Sequence, residues 1–459
     1  EIGVRLVGSE MCIRDRHSSH DGSITIVKND KFLLHAQIER FNHMIVSPLP
    51  SFKLLLQIKK LGITFDKVII TFLTDSCHFR WEDALKNFKL IGPHTQMRFA
   101  EDKNHHLFHS YCAKATIGER ANMVVIDGDG SLLNDNKTEQ ETIFQKDKII
   151  FQEHNSIGKD YETRTIEIIK RDFLTFRHCG KTMALSSHGG SLQIFQKETE
   201  AKIKKIIPTS DVSYTGGVAQ NVLANSQFFK YKNFEIDPLC TDQGISLGAL
   251  NFYMNGKLKL PHPVYLGFEP DYEFLHYPTF KDYDIVDASP EDICPLLRKE
   301  PVALFQGRSE QGQRGLGNRS LLIDGTNPKA IEIMNKIKHR EWYRPFAPAV
   351  LEEEAPEDFE IKGTSPYMLY VFKTKTKLPN ISAVDGTARL QTVSKKDNIN
   401  FYKLLKVFNE KYKIPFLLNT SLNLAGHTLV EDLNDLKYML DHSPLKYAYL
   451  PDVGKLVIN

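Results

Sequence analysis

From Phe305 to Ser320 the chain reads Phe-Gln-Gly-Arg-Ser-Glu-Gln-Gly-Gln-Arg-Gly-Leu-Gly-Asn-Arg-Ser. The apolar runs on either side, Pro301–Phe305 and Leu321–Ile323, predict two buried strands connected by this loop. Glycines let backbone N–H groups approach a ligand, and guanidinium groups match the oxygens of phosphate or carboxylate two at a time. The alternative is a surface loop with solvated arginines, but Glu310 alone brings a negative charge to the loop. The stretch therefore predicts an oxyanion site formed by Gly307, Arg308, Gly312, Arg314 and Arg319.

The predicted strands and helices around this loop alternate as in an α/β protein. In the first half, strands are predicted at Ser23–Val27, Phe32–Ile38, Lys67–Phe72, Met123–Ile126 and Asp211–Thr215, and helices at Pro50–Leu61, His105–Ala115 and Ile245–Phe252. In the second half, strands are predicted at Val302–Phe305, Ala347–Leu351, Met368–Val371 and Phe416–Leu418. A turn-rich stretch at 254–263 separates the halves and predicts domains at 17–258 and 259–459.

Residues 1–16 are set apart from this fold prediction. They contain Val-Gly-Ser-Glu-Met-Cys-Ile-Arg-Asp-Arg, which resembles translated sequencing-adapter DNA. We therefore expect the native first strand to have a different, apolar sequence.

The composition argues against nucleic acid and membranes as partners. Of the 459 residues, 41% are hydrophobic and 25% are charged, and the formal net charge is +2, so the chain has no strong basic field. Six cysteines are scattered without a CxxC pair, which suits a reducing compartment. No apolar stretch approaches the roughly 20 residues that a membrane span needs. We expect a cytoplasmic protein.

The segment Asn104–His109 places two imidazoles on one face of a predicted helix. His105 and His109 are four residues apart, and two neutral imidazoles at that spacing can bind one divalent cation. Surface or capping histidines are the alternative, and a third ligand would decide between the two. Asp242 is a candidate, although its position before a predicted helix suits a helix cap equally well.

Two turns that follow predicted strands carry further candidates for ligand binding. Gly216 and Gly217, with Asn221 after them, either hold the sugar or phosphate of a nucleotide against a helix N-terminus or form a simple tight turn. Asp127 begins Asp-Gly-Asp-Gly, which suits a hairpin facing phosphate or metal about as well as an ordinary turn.

The second half adds a basic cluster and several polar groups beside predicted strands. The cluster, from Lys336 to Arg344, is either a solvated helix face or part of the same anion site as residues 305–320. Other polar side chains next to apolar segments either line a site or face solvent. The candidates from these segments are Lys338, Arg344, Arg389, Asn419 and Ser421.

Ten segments, in order over nearly the whole chain after residue 18, together resemble the NodU/TobZ family of O-carbamoyltransferases. They are His20–Ser23, Asn104–His109, Gly180–Leu185, Gly216–Asn221, Thr241–Gly244, Gly307–Ser320, Lys338–Glu341, Arg344–Pro348, Asp385–Arg389 and Asn419–Ser421. The resemblance implies an actin-like ATPase (ASKHA) domain followed by a YrdC-like α/β domain. It further implies that the second domain makes carbamoyl-adenylate from carbamoyl phosphate and ATP, with Mg²⁺ accompanying the ATP. The first domain would then carbamoylate a hydroxyl of a sugar or secondary metabolite and release AMP.

The resemblance also implies roles for individual residues. His105, His109 and Asp242 match the family's Fe(II) ligands, and His20 matches a histidine near the acceptor that can act as a general base. Gly216, Gly217 and Asn221 would lie along the adenylate. The charges of the triphosphate and carbamoyl phosphate would be neutralised by Arg308, Arg314, Arg319, Lys338 and Arg344.

The chain departs from the family pattern at three places. The segment between Gly190 and Asp211 is shorter, Ala383 stands where the family has a histidine, and Gly315 replaces an alanine. Two other functions stay open: threonylcarbamoyl transfer to tRNA, which needs a tRNA-binding surface, and nucleotide binding without catalysis. The sequence identifies neither the acceptor nor the oligomeric state, for which a homodimer is one option.

Overall fold

The computed structural model describes residues 9–15, 22–42, 51–72, 78–100, 104–127, 141–153, 191–339, 346–375, 378, 380–383 and 385–459. The chain divides into two compact units, the first ending at Gly267 and the second running from Phe268 to Asn459. A short stretch of the first half, Asn225–Gln227, groups with the second unit. Within the described ranges, no helix is long and apolar enough to cross a membrane.

The first unit contains two five-stranded sheets of identical connectivity. In each, an antiparallel meander of three strands is extended by two parallel strands, so the spatial order is third, second, first, fourth, fifth. The first sheet comprises β1 (Ser9–Asp15), β2 (Ser23–Lys28), β3 (Lys31–Gln37), β4 (Phe65–Phe72) and β5 (Ile91–Ala100). The second comprises β6 (Asn122–Ile126), β7 (Glu141–Gln145), β8 (Lys148–Glu153), β9 (Ser210–Thr215) and β10 (Lys232–Ile236). This duplicated α/β topology is the one expected of an actin-like domain and confirms the predicted fold class.

Helices connect these strands and follow them. They are α1 (Glu39–Asn42), α2 (Phe52–Lys60), α3 (His78–Asn87), α4 (His105–Thr116), α5 (Ser191–Ile206), α6 (Val222–Ser226) and α7 (Ile245–Tyr253). The predicted helix at His105–Ala115 is confirmed as α4. The helix predicted at Ile245–Phe252 is confirmed as α7, one residue longer at its C-terminal end.

Helices α4 and α7 approach each other at the distance of backbone contact. A methyl carbon on Gly248 would overlap the carbonyl oxygen of Phe108, and one on Gly244 would overlap the carbonyl oxygen of Leu239. Around these glycines both helices pack into one apolar cluster that includes Phe108, Cys112 and Leu247. Because Gly248 and Gly244 have no side chains, α7 and the turn before it can lie this close to α4.

The second unit is built on a mixed eight-stranded sheet with the order β11-β20-β19-β12-β13-β18-β14-β17. Its strands are β11 (Asp284–Asp287), β12 (Val302–Phe305), β13 (Arg319–Ile323), β14 (Ala347–Leu351), β17 (Gln391–Val393), β18 (Phe416–Ser421), β19 (Tyr447–Leu450) and β20 (Lys455–Ile458), with β15 (Val371–Lys373) and β16 (Thr387–Arg389) as a separate pair. Its helices are α8 (Pro290–Leu297), α9 (Ala330–Lys338), α10 (Ala355–Asp358), α11 (Ile399–Tyr412) and α12 (Leu433–Asp441). The loop from Phe305 to Ser320 thus connects two neighbouring antiparallel strands, β12 and β13, near the middle of this sheet.

Three sequence predictions can be compared directly with these elements. The strands predicted at Val302–Phe305 and Ala347–Leu351 have the predicted bounds. The strand predicted at Met368–Val371 is wrong, because Met368 has a left-handed backbone with φ 56° and the strand begins only at Val371. Ser9–Asp15 forms the central strand β1 of the first sheet. The adapter origin of residues 1–16 stays a prediction.

The close crossing of α4 and α7 yields a stability prediction. Gly248→Ala forces a methyl group against the Phe108 carbonyl, so we expect it to cost about 1–3 kcal/mol of unfolding free energy in the first unit. Gly92→Ala is the control, since its added carbon has no neighbour within 4 Å among the described residues. Calorimetric melting should show a lowered Tm for Gly248→Ala alone. Equal Tm values for both variants would contradict the packing argument.

Candidate functional site

Four buried side chains of the first unit converge on one point. The ligand atoms of His105, His109, Asp127 and Asp242 all lie within 4.8 Å of one another. The Nε2 atoms of His105 and His109 are 3.2 and 3.1 Å from Asp127 Oδ2, and 3.6 and 3.3 Å from Asp242 Oδ1. Two imidazole nitrogens and two carboxylate oxygens form a donor set suited to one divalent transition-metal ion.

The four donors reach the cluster from three places in the first unit. The two histidines are one turn apart on α4, Asp127 immediately follows the C-terminal end of β6, and Asp242 begins the 3₁₀ turn that precedes α7. Spacing alone indicated the histidine pair. From the sequence, Asp127 suits a hairpin facing phosphate or metal about as well as an ordinary turn. The structure adds its carboxylate to the metal-ligand cluster, where the carboxyl end of a sheet strand meets the start of a helix.

The charges within the cluster depend on one another. Burial alone would lower the pKa of His109, but hydrogen bonds to Asp127 and Asp242 raise it to about 9. Burial alone would raise the pKa of Asp127, but hydrogen bonds with His105 and His109 hold it well below its ordinary value. The protein thus keeps the Asp127 carboxylate ionised and, without a metal, a proton on His109. A divalent cation would take over the position of that proton.

The turn at Gly216 and Gly217 contacts this cluster directly. The Gly217 N–H donates to Asp127 Oδ1 at 3.2 Å, and the Gly216 N–H donates to the carbonyl oxygen of Cys240 at 2.9 Å. Gly216 has φ 95°, and a methyl carbon there would overlap the carbonyl oxygen of Ile126. Glycine is therefore required at 216 on two grounds, and the turn orients one of the four metal-ligand candidates.

Asn221 has protein partners for its side-chain amide. Asn221 Nδ2 donates to Gln196 Oε1 at 3.1 Å, and Asn221 Oδ1 accepts from Gln196 Nε2 at 3.0 Å and from the Ala224 N–H at 3.0 Å. This arrangement fixes the start of α6. The contact of Asn221 with an adenylate stays a prediction. It would require Asn221 to exchange these hydrogen bonds for bonds to the ligand.

In the second unit, the loop from Phe305 to Ser320 is closed on itself by Glu310. This carboxylate is fully buried, and its Oε1 accepts from the backbone N–H groups of Leu316, Asn318 and Arg319 at 2.6, 3.3 and 3.1 Å. From the sequence, Glu310 is the one negative charge of the loop, set among its arginines. The structure instead uses it as an internal acceptor, so these three N–H groups already have a negative partner.

Arg319 holds the two ends of the same loop together. Its side chain is fully buried, with Cζ 4.0 Å from the ring centre of Phe305. Its guanidinium donates, at 2.6 to 3.3 Å, to the backbone carbonyl oxygens of Gln306, Gly307, Asn318 and Glu431. Arg314, by contrast, is only partly buried. The two arginines therefore occupy different environments, although the same role is predicted for both from the sequence.

The remaining candidates of the second unit lie around this loop. Lys338 Nζ donates to Ser421 O at 2.6 Å, to Ser421 Oγ at 3.3 Å, and to Asn423 Oδ1. Asn419 Nδ2 donates to the Gly315 carbonyl oxygen at 3.2 Å. Strands β13 and β18 are neighbours in the sheet and pair Ser320 with Ser421. Asn419 and Ser421 of β18 therefore lie beside the strand that follows the loop.

Two further contacts involve residues of the loop that are predicted to bind an anion. The N–H of Gly307 donates to Asp452 Oδ2 at 2.6 Å, and Arg308 Nε lies 3.2 Å from Glu269 Oε1. Arg389, at the end of β16, is partly buried, and Gly312 has φ 99°. His20 and Arg344 lie outside the described residues, so their predicted roles stay predictions.

The pKa of His109 predicts a pH dependence for the metal-free protein. Because the folded pKa of about 9 exceeds the ordinary 6.5, the stabilisation is complete below pH 6.5 and is lost as pH rises through 9. We expect the Tm of chelator-treated protein to fall over this interval, and to fall less in His109→Gln. His94→Gln, at an exposed histidine, is the control. A Tm decline that is identical in all three proteins would contradict this charge assignment.

The amino-acid sequence of this chain is similar to those of known proteins. Residues 295–455 match the family model described as Carbamoyltransferase C-terminus. Nodulation protein NolO of Bradyrhizobium diazoefficiens is 35% identical over 48% of this chain and 44% of its own length. Nodulation protein U of Rhizobium tropici is 34% identical over 47% of this chain and 39% of its own length.

A third relative matches over nearly its full length. It is an uncharacterised protein of Methanocaldococcus jannaschii, 26% identical over 90% of this chain and 93% of its own length. The chain spans less than half the length of the two nodulation proteins in their alignments. Together with the motifs distributed along both units, these matches support the resemblance of this chain to the NodU-type carbamoyltransferases.

Proposed function

We propose that this protein is an ATP-dependent O-carbamoyltransferase that carbamoylates a hydroxyl group of a sugar or secondary metabolite. The observation that carries the proposal is the convergence of His105, His109, Asp127 and Asp242 in a unit of actin-like topology. The same chain includes a carbamoyltransferase C-terminal region at 295–455. A buried metal-type site in one unit and an arginine-rich loop in the other suit two successive steps.

The proposed reaction balances in two steps. In the second unit, carbamoyl phosphate, ATP and water give carbamoyl-adenylate, pyrophosphate and phosphate. In the first unit, the oxygen of an acceptor hydroxyl forms a bond to the carbamoyl carbon, the bond from that carbon to the adenylate oxygen breaks, and AMP leaves. The hydroxyl proton passes to a base, for which His20 is the candidate by resemblance to the family.

The donor set fits Fe(II), the metal that the family resemblance implies. Two imidazoles and two carboxylates suit borderline divalent ions, and the two histidines keep the Asp127 carboxylate ionised. Such an ion would act as a Lewis acid toward the carbamoyl group and favour loss of AMP. The histidine pair on α4 fixes one side of the site, and the Gly217 N–H holds Asp127 in orientation from the other.

In the second unit we assign different tasks to the two arginines. Arg314, partly exposed, is assigned to neutralise the phosphate groups of ATP and carbamoyl phosphate, together with Arg344 and Lys338. Arg319 is assigned to position the loop, since its guanidinium is already engaged by backbone carbonyl groups. Glu310 supports the same geometry by accepting three backbone N–H groups.

The proposal is tested by incubating the full-length protein with carbamoyl phosphate, ATP, Mg²⁺ and Fe(II). We expect pyrophosphate release and a carbamoyl-adenylate detectable by mass spectrometry.

Arg314→Met should reduce pyrophosphate release at least about 100-fold with little change in Tm, because an arginine clamp on a transferring phosphoryl group can be worth several kcal/mol. Arg319→Met should lower the Tm of the second unit, because it leaves buried carbonyl groups without donors.

Substituting both His105 and His109 by Ala separates the two steps. This variant should lose stoichiometric iron and still release pyrophosphate. ATP binding without pyrophosphate release by the unaltered protein would contradict the proposal and favour a non-catalytic nucleotide-binding role. Filter binding of tRNA at physiological salt would instead favour threonylcarbamoyl transfer.

A further inference from the structure

A second buried carboxylate, Asp237, lies in the first unit outside the four-residue cluster. It follows β10 directly and is fully buried. Its Oδ1 accepts from Thr116 Oγ1 at 2.8 Å and from the Leu239 N–H at 2.9 Å, and its Oδ2 accepts from Thr215 Oγ1 at 3.1 Å. The thiol of Cys112 is also a hydrogen-bond partner. All these partners are neutral donors.

Each partner of Asp237 belongs to a segment that carries or orients a metal-ligand candidate. Cys112 and Thr116 lie on α4 at positions three and seven after His109, so they continue the helix face that presents both histidines. Thr215 ends β9 immediately before Gly216, whose turn donates to Asp127. The third segment runs from Asp237 to Asp242, which is the last ligand candidate.

The segment from Asp237 to Asp242 is held at both ends of its turn. The Asp237 N–H donates to the Tyr214 carbonyl oxygen at 2.9 Å, and the Cys240 carbonyl oxygen accepts from the Gly216 N–H at 2.9 Å. Gly244 beyond it permits close contact with Leu239 and with the sulfur of Cys112. One carboxylate therefore joins α4, the end of β9 and the turn that leads to Asp242.

We propose that Asp237 is a positioning residue of the metal centre. It sets the spacing between the histidines on α4, the turn that orients Asp127, and Asp242, and it contacts none of the four donors in the described hydrogen bonds. A carboxylate can accept from hydroxyls, a thiol and an amide at once, whereas an asparagine of the same size loses one acceptor oxygen. The inference rests on the proposed metal centre and goes beyond it by assigning a residue outside the ligand set.

The test uses Co(II), whose visible d–d bands report coordination geometry, with the full-length protein. Asp237→Asn should weaken Co(II) affinity, measured by chelator competition, by about 10–100-fold and should alter the d–d spectrum. The paired substitution Thr116→Val with Thr215→Val keeps the carboxylate and removes two of its donors, so it should shift affinity and spectrum in the same direction. This pair keeps the test valid if Asp237→Asn does not fold.

Asp324→Asn is the control, since Asp324 is a buried aspartate of the second unit that accepts from Thr326 Oγ1 at 2.8 Å and also pairs with Arg298. It should lower Tm without changing Co(II) affinity or spectrum. If the Asp237 variant and the threonine pair behave like this control, the positioning role is wrong while the metal centre stands. If the unaltered protein binds no Co(II), the metal centre and the positioning role are both overturned.

Discussion

The first unit is organised by the burial of two carboxylates, Asp127 and Asp242, beside two imidazoles. Ionised groups removed from water need compensating partners, and for Asp127 these are His105 and His109, whose hydrogen bonds hold the pKa of the carboxyl well below its ordinary value. Together the two carboxylates and the two imidazoles offer a cation four buried donor atoms within 4.8 Å of one another. This convergence of donors favours a cation at the centre.

The backbone around the cluster is constrained to match. Gly248 brings α4 and α7 into contact, Gly216 allows β9 to turn against Ile126, and Gly217 donates to Asp127. Each of these glycines is needed because a side chain would meet backbone or a ligand candidate. The loop from Phe305 to Ser320 in the second unit follows a different principle. There Glu310 and Arg319, both buried, fix the loop from inside through hydrogen bonds to backbone groups.

Much of this arrangement could be predicted from the sequence. Helical spacing paired His105 with His109, strand patterns indicated the α/β class, and the ordered motifs indicated a resemblance to O-carbamoyltransferases. The pairing of Asn221 with Gln196 could not be predicted, since the segment containing Gln196 is distant in sequence and carries no motif. The role of Glu310 was missed because a charge count cannot distinguish an acidic side chain facing arginines from one that accepts backbone N–H groups.

Asp127 and Asp237 illustrate the same limit. An aspartate at the end of a strand suits a turn, a cap or a ligand equally, and only the meeting of β6, β9 and α4 in space distinguishes these roles. The strand predicted from Met368 to Val371 was wrong for a local reason. The left-handed backbone of Met368 interrupts the extended conformation that its apolar neighbours indicate. Tertiary contacts therefore decided the cases in which residue type and spacing allowed several outcomes.

The central claim is that two imidazoles and two carboxylates of the first unit hold one metal ion. X-ray absorption spectroscopy on the full-length protein, reconstituted anaerobically with Fe(II), measures this directly. The account predicts one iron per chain, a first shell of nitrogen and oxygen only, and multiple scattering from two imidazoles. A sulfur shell, which would implicate Cys112 or Cys240, or iron without imidazole scattering would contradict it.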